Sequence, residues 1–378
     1  MKTREMPIIE LQGTPRERGR IHGESLKIKI FEVIDNWLSD LGSYGQNDKS
    51  QGTLDTSAYL QSFFSETGYI DAIKRWTPDL LAEVQGIAEA SGQTFEHILG
   101  LNLMDEEWVY GLRHKLEKPT NKCTAFGIPQ QDNGPGYAGQ NMDIMSWAEG
   151  KQVLLRVMPT DSAPETLVFS IAGSIGLNGL NANGIGVTCN TLSQLNYTTD
   201  GLPVAFILRS ILASQTVDSA EIFLESIQHA SGQNFIVSSA KEIRCFECCG
   251  TSVVRYQPDQ LKGRVIHTNH PLINTDISPL AALSGSSANT KARLESIACR
   301  LGDTTQTITL KNIKSALAAH DDQENPVSRN ANKNGSSIGF TAGASIYELG
   351  RPPRLHLAAG PPCETEFKAF DFLDTIEE

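Results

Sequence analysis

The sequence predicts an α+β protein in which helices are layered against antiparallel sheets. Three observations carry this expectation. Apolar residues recur at helical spacing through the first hundred residues, short β-type runs separated by turn clusters begin after residue 120, and helical stretches interrupt those runs. The chain has 378 residues, enough for a large buried core, and no internal repeat divides it.

The first part reads as mainly helical. Over residues 22–41 the apolar positions Ile28, Ile30, Phe31, Ile34, Trp37, Leu38 and Leu41 share a helical period, and Gly42 supplies a stop. Residues 44–55 are rich in Gly, Ser, Asn and Gln and read as a surface loop. Thr77-Pro78 is a cap followed by proline in the first turn of a helix that ends near Ser91-Gly92. Thr94 caps a further helix over 95–103, with Glu96 in its first turn where the helix dipole favours an anion.

Residues 114–122 are polar, charged and interrupted by Pro119, and the pattern changes after them. Strands are expected over 124–128, 137–141, 153–158, 166–171 and 186–189. Turn clusters at Asp132-Asn-Gly-Pro-Gly136 and Asn181-Ala-Asn-Gly184 separate them. Helices over 203–213 and 219–229 follow, then strands over 235–237, 242–249 and 253–256. Helices over 290–301 and 310–319 precede a final hairpin that joins 344–349 to 355–358.

Composition narrows the function. Lys and Arg number 32 against 44 Asp and Glu, a net charge of −12, which lacks the electrostatic footprint of a nucleic-acid binder. No apolar run reaches membrane-spanning length, and the start Met1-Lys-Thr-Arg-Glu has no signal-peptide core, so a cytoplasmic protein is expected. The seven cysteines are an odd number without a secretion signal, which argues against a disulfide framework.

Cys123 is the sharpest candidate for chemistry, because it follows the polar segment and begins an expected strand. A half-buried strand cysteine is the alternative reading. A thiol becomes a useful nucleophile only with a base or a lowered pKa, and no histidine is adjacent. Cleavage before Cys123 would put an α-amino group on the same residue, with a pKa of about 7.7–8.0, and that amine could act as the base. A strand out, the turn at 132–136 and a strand back would bring Asp143, in Gly139-Gln-Asn-Met-Asp143, beside Cys123. There it could hold the α-ammonium or orient a substrate; turn or cap chemistry is the alternative.

In His267-Thr-Asn-His-Pro271 the histidines lack a third metal ligand at convincing spacing. Asn269 is more useful, since a side-chain amide can donate to an oxyanion, an interaction worth roughly 2.7–4 kcal/mol. The glycine-rich run 173–186 lacks dinucleotide-binding spacing and reads as a hairpin turning at Ala182-Asn-Gly184. Cys245-Phe-Glu-Cys-Cys249 has no second cysteine pair for zinc, and strand alternation accounts for it; a zinc site from Cys245, Cys248 and His267 is an outside option.

Taken together in order and spacing, these features resemble the isopenicillin N acyltransferase family. Its members are autoproteolytic N-terminal nucleophile hydrolases, distantly related to the bile salt (choloylglycine) and penicillin V hydrolases. The resemblance covers nearly the whole chain. It rests on Gly13-Thr-Pro-Arg-Glu-Arg-Gly-Arg-Ile-His-Gly23, the segment 78–92, Cys123-Thr124, Gly139-Gln-Asn-Met-Asp143, Gly179-Leu-Asn-Ala-Asn-Gly184, Asn269-His270, Thr290 with Arg293, and Gly360-Pro-Pro-Cys363.

The resemblance implies a four-layer αββα sandwich with an added helical N-terminal segment. It further implies a precursor that cuts itself between Lys122 and Cys123 into pieces of 122 and 256 residues that stay associated. The helical segment 1–122 would be the α subunit, and 123–378 the catalytic β subunit. Cys123 would be the nucleophile and its freed amine the base, Asp143 would hold that amine and the substrate, and Asn269 would contribute the oxyanion hole. Thr124, Gln140, Asn141, Thr290 and Arg293 would bind substrate or support the site. Gln140 stands where the bile salt hydrolases carry arginine. Lys122 replaces the glycine usual before the nucleophile, a departure that bears on self-cleavage, because glycine enters strained backbone easily.

The expected function is therefore an amidohydrolase or acyltransferase acting on a small linear amide through a thioester, with no cofactor and no metal. Hydrolysis is favoured over transfer, since water is always at hand and no acyl-coenzyme A site is legible. A non-catalytic binding protein that kept the fold is the alternative. Pocket residues are expected in the loops 44–55 and 193–202 and in the segment before Cys123. Substrate identity and oligomeric state, including a homo-oligomer, stay open.

Overall fold

The computed structural model describes residues 4–43, 54–114, 123–132, 134–258, 261–283, 288–331 and 339–373. A four-residue strand, β1 (Ile8–Leu11), comes first. Thr14 and Glu17 then close a reciprocal capping box ahead of Pro15 and start α1 (Pro15–Ser25). The single helix expected over 22–41 is two helices. Leu26, at φ −118° and ψ 17°, separates α1 from α2 (Lys27–Gly42), a break that no glycine or proline announces. The helices α3 (Thr56–Ser65), capped by Asp55, and α4 (Tyr69–Trp76) were not expected.

Helix α5 (Pro78–Ser91) starts on its proline and ends at Gly92, whose φ of +76° fits the left-handed cap. Thr77 does not cap it: its hydroxyl turns back to the Ile73 carbonyl. Helices α1 and α5 approach so closely that a Cβ on Gly19 would lie 1.9 Å from the Glu83 carbonyl oxygen, and one on Gly86 would lie 2.2 Å from that of Arg16. Thr94 caps α6 (Phe95–Asn102) as expected, and α7 (Met104–Arg113) ends the helical segment.

The strand-rich part opens with β2 (Thr124–Ile128), β3 (Tyr137–Ile144), β4 (Gln152–Val157), β5 (Thr166–Ile171), β6 (Asn178–Asn181) and β7 (Gly186–Thr191). Helices α8 (Val204–Leu212) and α9 (Val217–Ser226) follow, the latter started by a Thr216–Ser219 capping box. Then come β8 (Gln233–Ser238), β9 (Ile243–Cys248), β10 (Val253–Tyr256), β11 (Val265–His267), α10 (Ala288–Leu301) and α11 (Leu310–Leu317). A final run of β12 (Phe340–Glu348), β13 (Arg354–Ala358) and β14 (Lys368–Phe370) closes the fold.

Two sheets result, with strand orders β1-β4-β5-β6-β7-β8-β9-β10 and β11-β2-β3-β12-β13-β14. All neighbours are antiparallel except β1, which pairs parallel with β4 and gives the helical segment a share in the larger sheet. The sheets stack face to face, and polar bonds cross between them. The Tyr347 hydroxyl donates to the Val187 carbonyl (2.9 Å), and the Gln152 amide donates to that of Ala342 (3.0 Å). Helices α10 and α11 cover the outer face of the smaller sheet, where Ile297, Leu301 and Ile313 pack on Phe126, Ile128 and Ile346. Helices α8 and α9 cover the larger sheet, giving the four layers αββα. No helix among the described residues is long and apolar enough to cross a membrane.

Candidate active site

Cys123 immediately precedes β2, and the hairpin from β2 to β3 returns Met142 and Asp143 beside it. Alternation along β2 sets the directions. Thr124 and Phe126 point to the helices α10 and α11, whereas Ala125 and the Cys123 thiol point between the sheets. The thiol lies 3.6 Å from Met142 Sδ and 3.7 Å from the Asp143 carbonyl oxygen. Burial pushes its pKa up to about 12, and the negative charge of Asp143 adds to the shift. The sulfur is therefore a neutral thiol at physiological pH.

Arg293, fully buried on α10, ties three segments together through four acceptors. Its Nη1 donates to the Cys123 carbonyl and to Thr124 Oγ1 (2.8 Å), its Nη2 to Asn269 Oδ1 (3.0 Å) and its Nε to Asn289 Oδ1 (2.9 Å). Burial lowers the guanidinium pKa to about 10, with Asp143 opposing, so the group stays charged at neutral pH. Thr290, one turn earlier, accepts from the Asn269 backbone N–H (2.7 Å) and bonds Thr268 Oγ1 and His270 Nδ1. It supports the turn carrying Asn269 and makes no contact with the thiol. The Asn269 Nδ2 donates to the Thr191 carbonyl (3.1 Å).

Gln140 and Asn141 are brought near Cys123 in sequence register but do other work. Gln140 clamps the two sheets together: its Oε1 accepts from the Cys189 N–H (3.1 Å) and its Nε2 donates to the Cys189 carbonyl. Asn141 faces the other way and donates to the carbonyls of Leu317 (2.8 Å) and Val327 (2.9 Å), seating the end of α11. Asp143 is buried, and its charge is felt by Cys123, Arg293 and Arg329. Lys122 and the rest of 115–122 lie outside the described residues, as do 44–53 of the expected surface loop.

A cavity of about 90 Å³ opens beside the thiol. Cys123, Met142, Cys189 and Thr191 form one wall; Trp37, Asn102, Asp105 and Trp108 form another, from the helical segment. The loop 193–202, expected to line the pocket, does not. Leu195 bridges to Ile277 and Thr198 bonds the Ala230 carbonyl, which folds this loop away from the cavity. Asp105 was missed, since Asp105-Glu-Glu107 reads as a solvated acidic run. Its Oδ2 accepts from Thr191 Oγ1 (2.9 Å) and Gln233 Nε2 (2.8 Å), and burial raises its pKa.

Glu247 was also missed. It accepts from the backbone N–H groups of Leu272, Ile273 and Asn274, and lies 2.8 Å from His267 Nε2. Burial would raise its pKa, but His267 and these N–H groups hold it below the usual carboxylate range. The odd spacing of Cys245 and Cys248 puts them on opposite faces of β9, and the Cys245 thiol bonds Asn234 Oδ1 (2.9 Å).

The family model described as acyl-coenzyme A:6-aminopenicillanic acid acyl-transferase matches residues 130–354. The chain is 27% identical over 376 residues to the acyl-coenzyme A:6-aminopenicillanic-acid-acyltransferase 40 kDa form of Emericella nidulans, covering 97% of each chain. It is 31% identical over 237 residues to protein dcd1A of Dictyostelium discoideum, covering 56% of this chain and 51% of that one. Among solved structures, a mutant conjugated bile acid hydrolase from Clostridium perfringens aligns at 12% identity and a TM-score of 0.44, covering 68% of this chain and 98% of its own.

Proposed function

The chain belongs to the acyl-coenzyme A:6-aminopenicillanic acid acyl-transferase family, and on that premise we propose that it is a self-processing amidohydrolase or acyltransferase whose nucleophile is Cys123. The observation that carries this reading is the gathering of three groups around the head of β2, next to a cavity that the thiol lines: the buried thiol itself, the Arg293 guanidinium on its carbonyl, and the Asn269 amide held by that guanidinium.

In maturation, Sγ attacks the carbonyl of Lys122. The peptide C–N bond breaks, a thioester forms, and the nitrogen of Cys123 takes the proton as a free amine. Water then splits the thioester, leaving a carboxylate on residue 122 and restoring the thiol. Arg293 and the hydrogen bonds of β2 hold the backbone of Cys123 while this happens.

The cut changes the electrostatics. In the uncut chain burial and Asp143 oppose the thiolate. An α-ammonium on the same residue favours it, and with an ordinary pKa of about 7.7–8.0 the amine can shuttle a proton near neutrality. In turnover the amine takes the thiol proton as sulfur attacks the substrate carbonyl. One hydrogen of Asn269 Nδ2 points to Thr191, and the second is available to the oxyanion. The ammonium then protonates the departing amine, and water or a second amine resolves the thioester. Asp143 balances the ammonium between steps.

Intact mass and N-terminal sequencing of purified protein test the reading. Two species are expected, the larger beginning at Cys123, and Cys123→Ala should leave one uncut chain without amidase activity. Active material with an unbroken bond before Cys123, or activity surviving Cys123→Ala, overturns it.

A further inference from the structure

We propose that the amides accepted here carry a protonated amine, and that Asp105 in the cavity wall is the residue that selects it. The proposal rests on the function above and names its substrate class. Three of the four tryptophans of the chain, Trp37, Trp108 and Trp147, line the cavity beside Cys123. Two carboxylates, Asp105 and Glu107, join them, and no Lys, Arg or His is among the described lining residues. An organic cation suits such a space, since indole faces attract ammonium groups and a carboxylate supplies the counter-charge.

Asp105 is built for this contact. It keeps partial exposure inside the cavity, whereas its neighbour Glu106 is sealed, accepting from Ser231 Oγ (2.7 Å) and the Val204 N–H (3.2 Å). Thr191 and Gln233 fix the Asp105 carboxylate through Oδ2. Burial, with the charge of Asp105 next, pushes Glu106 up to about 8.

Trp108 adds a second requirement. It is 8% exposed, and its indole N–H has no hydrogen-bond partner among the described residues, so a ligand acceptor such as an amide carbonyl can satisfy it. Thr191 links the two ends of the site, its hydroxyl on Asp105 and its carbonyl on the Asn269 amide. A cation at Asp105 thus lies within a short bond network of the oxyanion donor.

Calorimetric titration of the purified protein with n-butylammonium and with n-butanol reads the preference without turnover. Butylammonium should bind about tenfold tighter or better, and Asp105→Asn should abolish the difference. Equal affinities, or an unchanged preference in Asp105→Asn, overturn the proposal. Should Asp105→Asn fail to fold, Trp37→Leu is used instead and should shrink the preference; an unchanged ratio there overturns it. Matched amides bearing a terminal amine or a methyl in its place separate this claim from the function. Equal kcat/KM for both sinks the cation site and leaves the amidase. A butylammonium preference without turnover of any amide keeps the cation site and sinks the amidase.

Discussion

The guanidinium of Arg293 donates to the backbone carbonyl of Cys123, although 170 positions separate them in the chain. One buried cation thereby fixes the backbone of the proposed nucleophile, the hydroxyl next to it and the amide of Asn269. Arg293→Lys keeps the charge but cannot reproduce a planar fork serving four acceptors. We expect it to slow the appearance of the Cys123-terminated fragment by about 100-fold, roughly the loss of 2.7 kcal/mol. Gel densitometry against time after synthesis measures this, and wild-type kinetics would refute it.

Thiol reactivity should change on cleavage. In uncut protein, iodoacetamide should label Cys123 slowly and faster only as pH climbs toward about 12. In the cut form labelling should be appreciable near neutral pH, because the new ammonium favours the thiolate. Peptide mass mapping across pH distinguishes the two profiles; identical profiles would contradict a change in the base.

Gln140 predicts a stability effect separable from chemistry. Gln140→Leu leaves the Cys189 N–H and carbonyl unpaired between the sheets, at about 1–3 kcal/mol for each group. Urea unfolding should show a lowered midpoint with an unchanged slope. A midpoint equal to wild type would mean that the clamp contributes nothing.

Acid should weaken the fold in a defined window. Burial lowers the pKa values of His22 and His229 to about 4, so both are neutral in the folded protein, whereas in the unfolded chain they take up protons near 6.5. Each folded value is depressed, so stability is complete above about pH 6.5 and declines as pH falls from there toward 4, on the order of 1–3 kcal/mol per histidine. Below that, Glu83 contributes. Burial alone would raise its pKa, but Arg209 and Arg18 hold it down, so protonating it at still lower pH removes the buried pair. Denaturant midpoints at pH 7, 5.5 and 4.5 should fall in that order.

The parts of the site made by local chain reversal were legible in the sequence. Gly134, Pro135 and Gly136 announce the turn that carries Asp143 back to Cys123, and the alternation in β2 is plain. What escaped depends on distant packing. Strand β1 is four residues long and pairs with residues that start at Leu154, far along the chain, so no hairpin signal exists for it. The carboxylate of Asp105 looks solvated until α7 docks against β7 and β8, which bring Thr191 and Gln233 to it. Gln140 looks like a substrate ligand until the second sheet arrives to occupy both ends of its amide.

The cavity draws its walls from both sides of residue 122, with Trp37, Asp105 and Trp108 contributed by the first part and Cys123, Met142 and Thr191 by the second. On the proposed reading, reaction and recognition are carried on different stretches of polypeptide. New acyl preferences could be sought by grafting or randomising α2 and α7 alone, with the sulfur, the arginine and the amide left as a fixed reaction cassette.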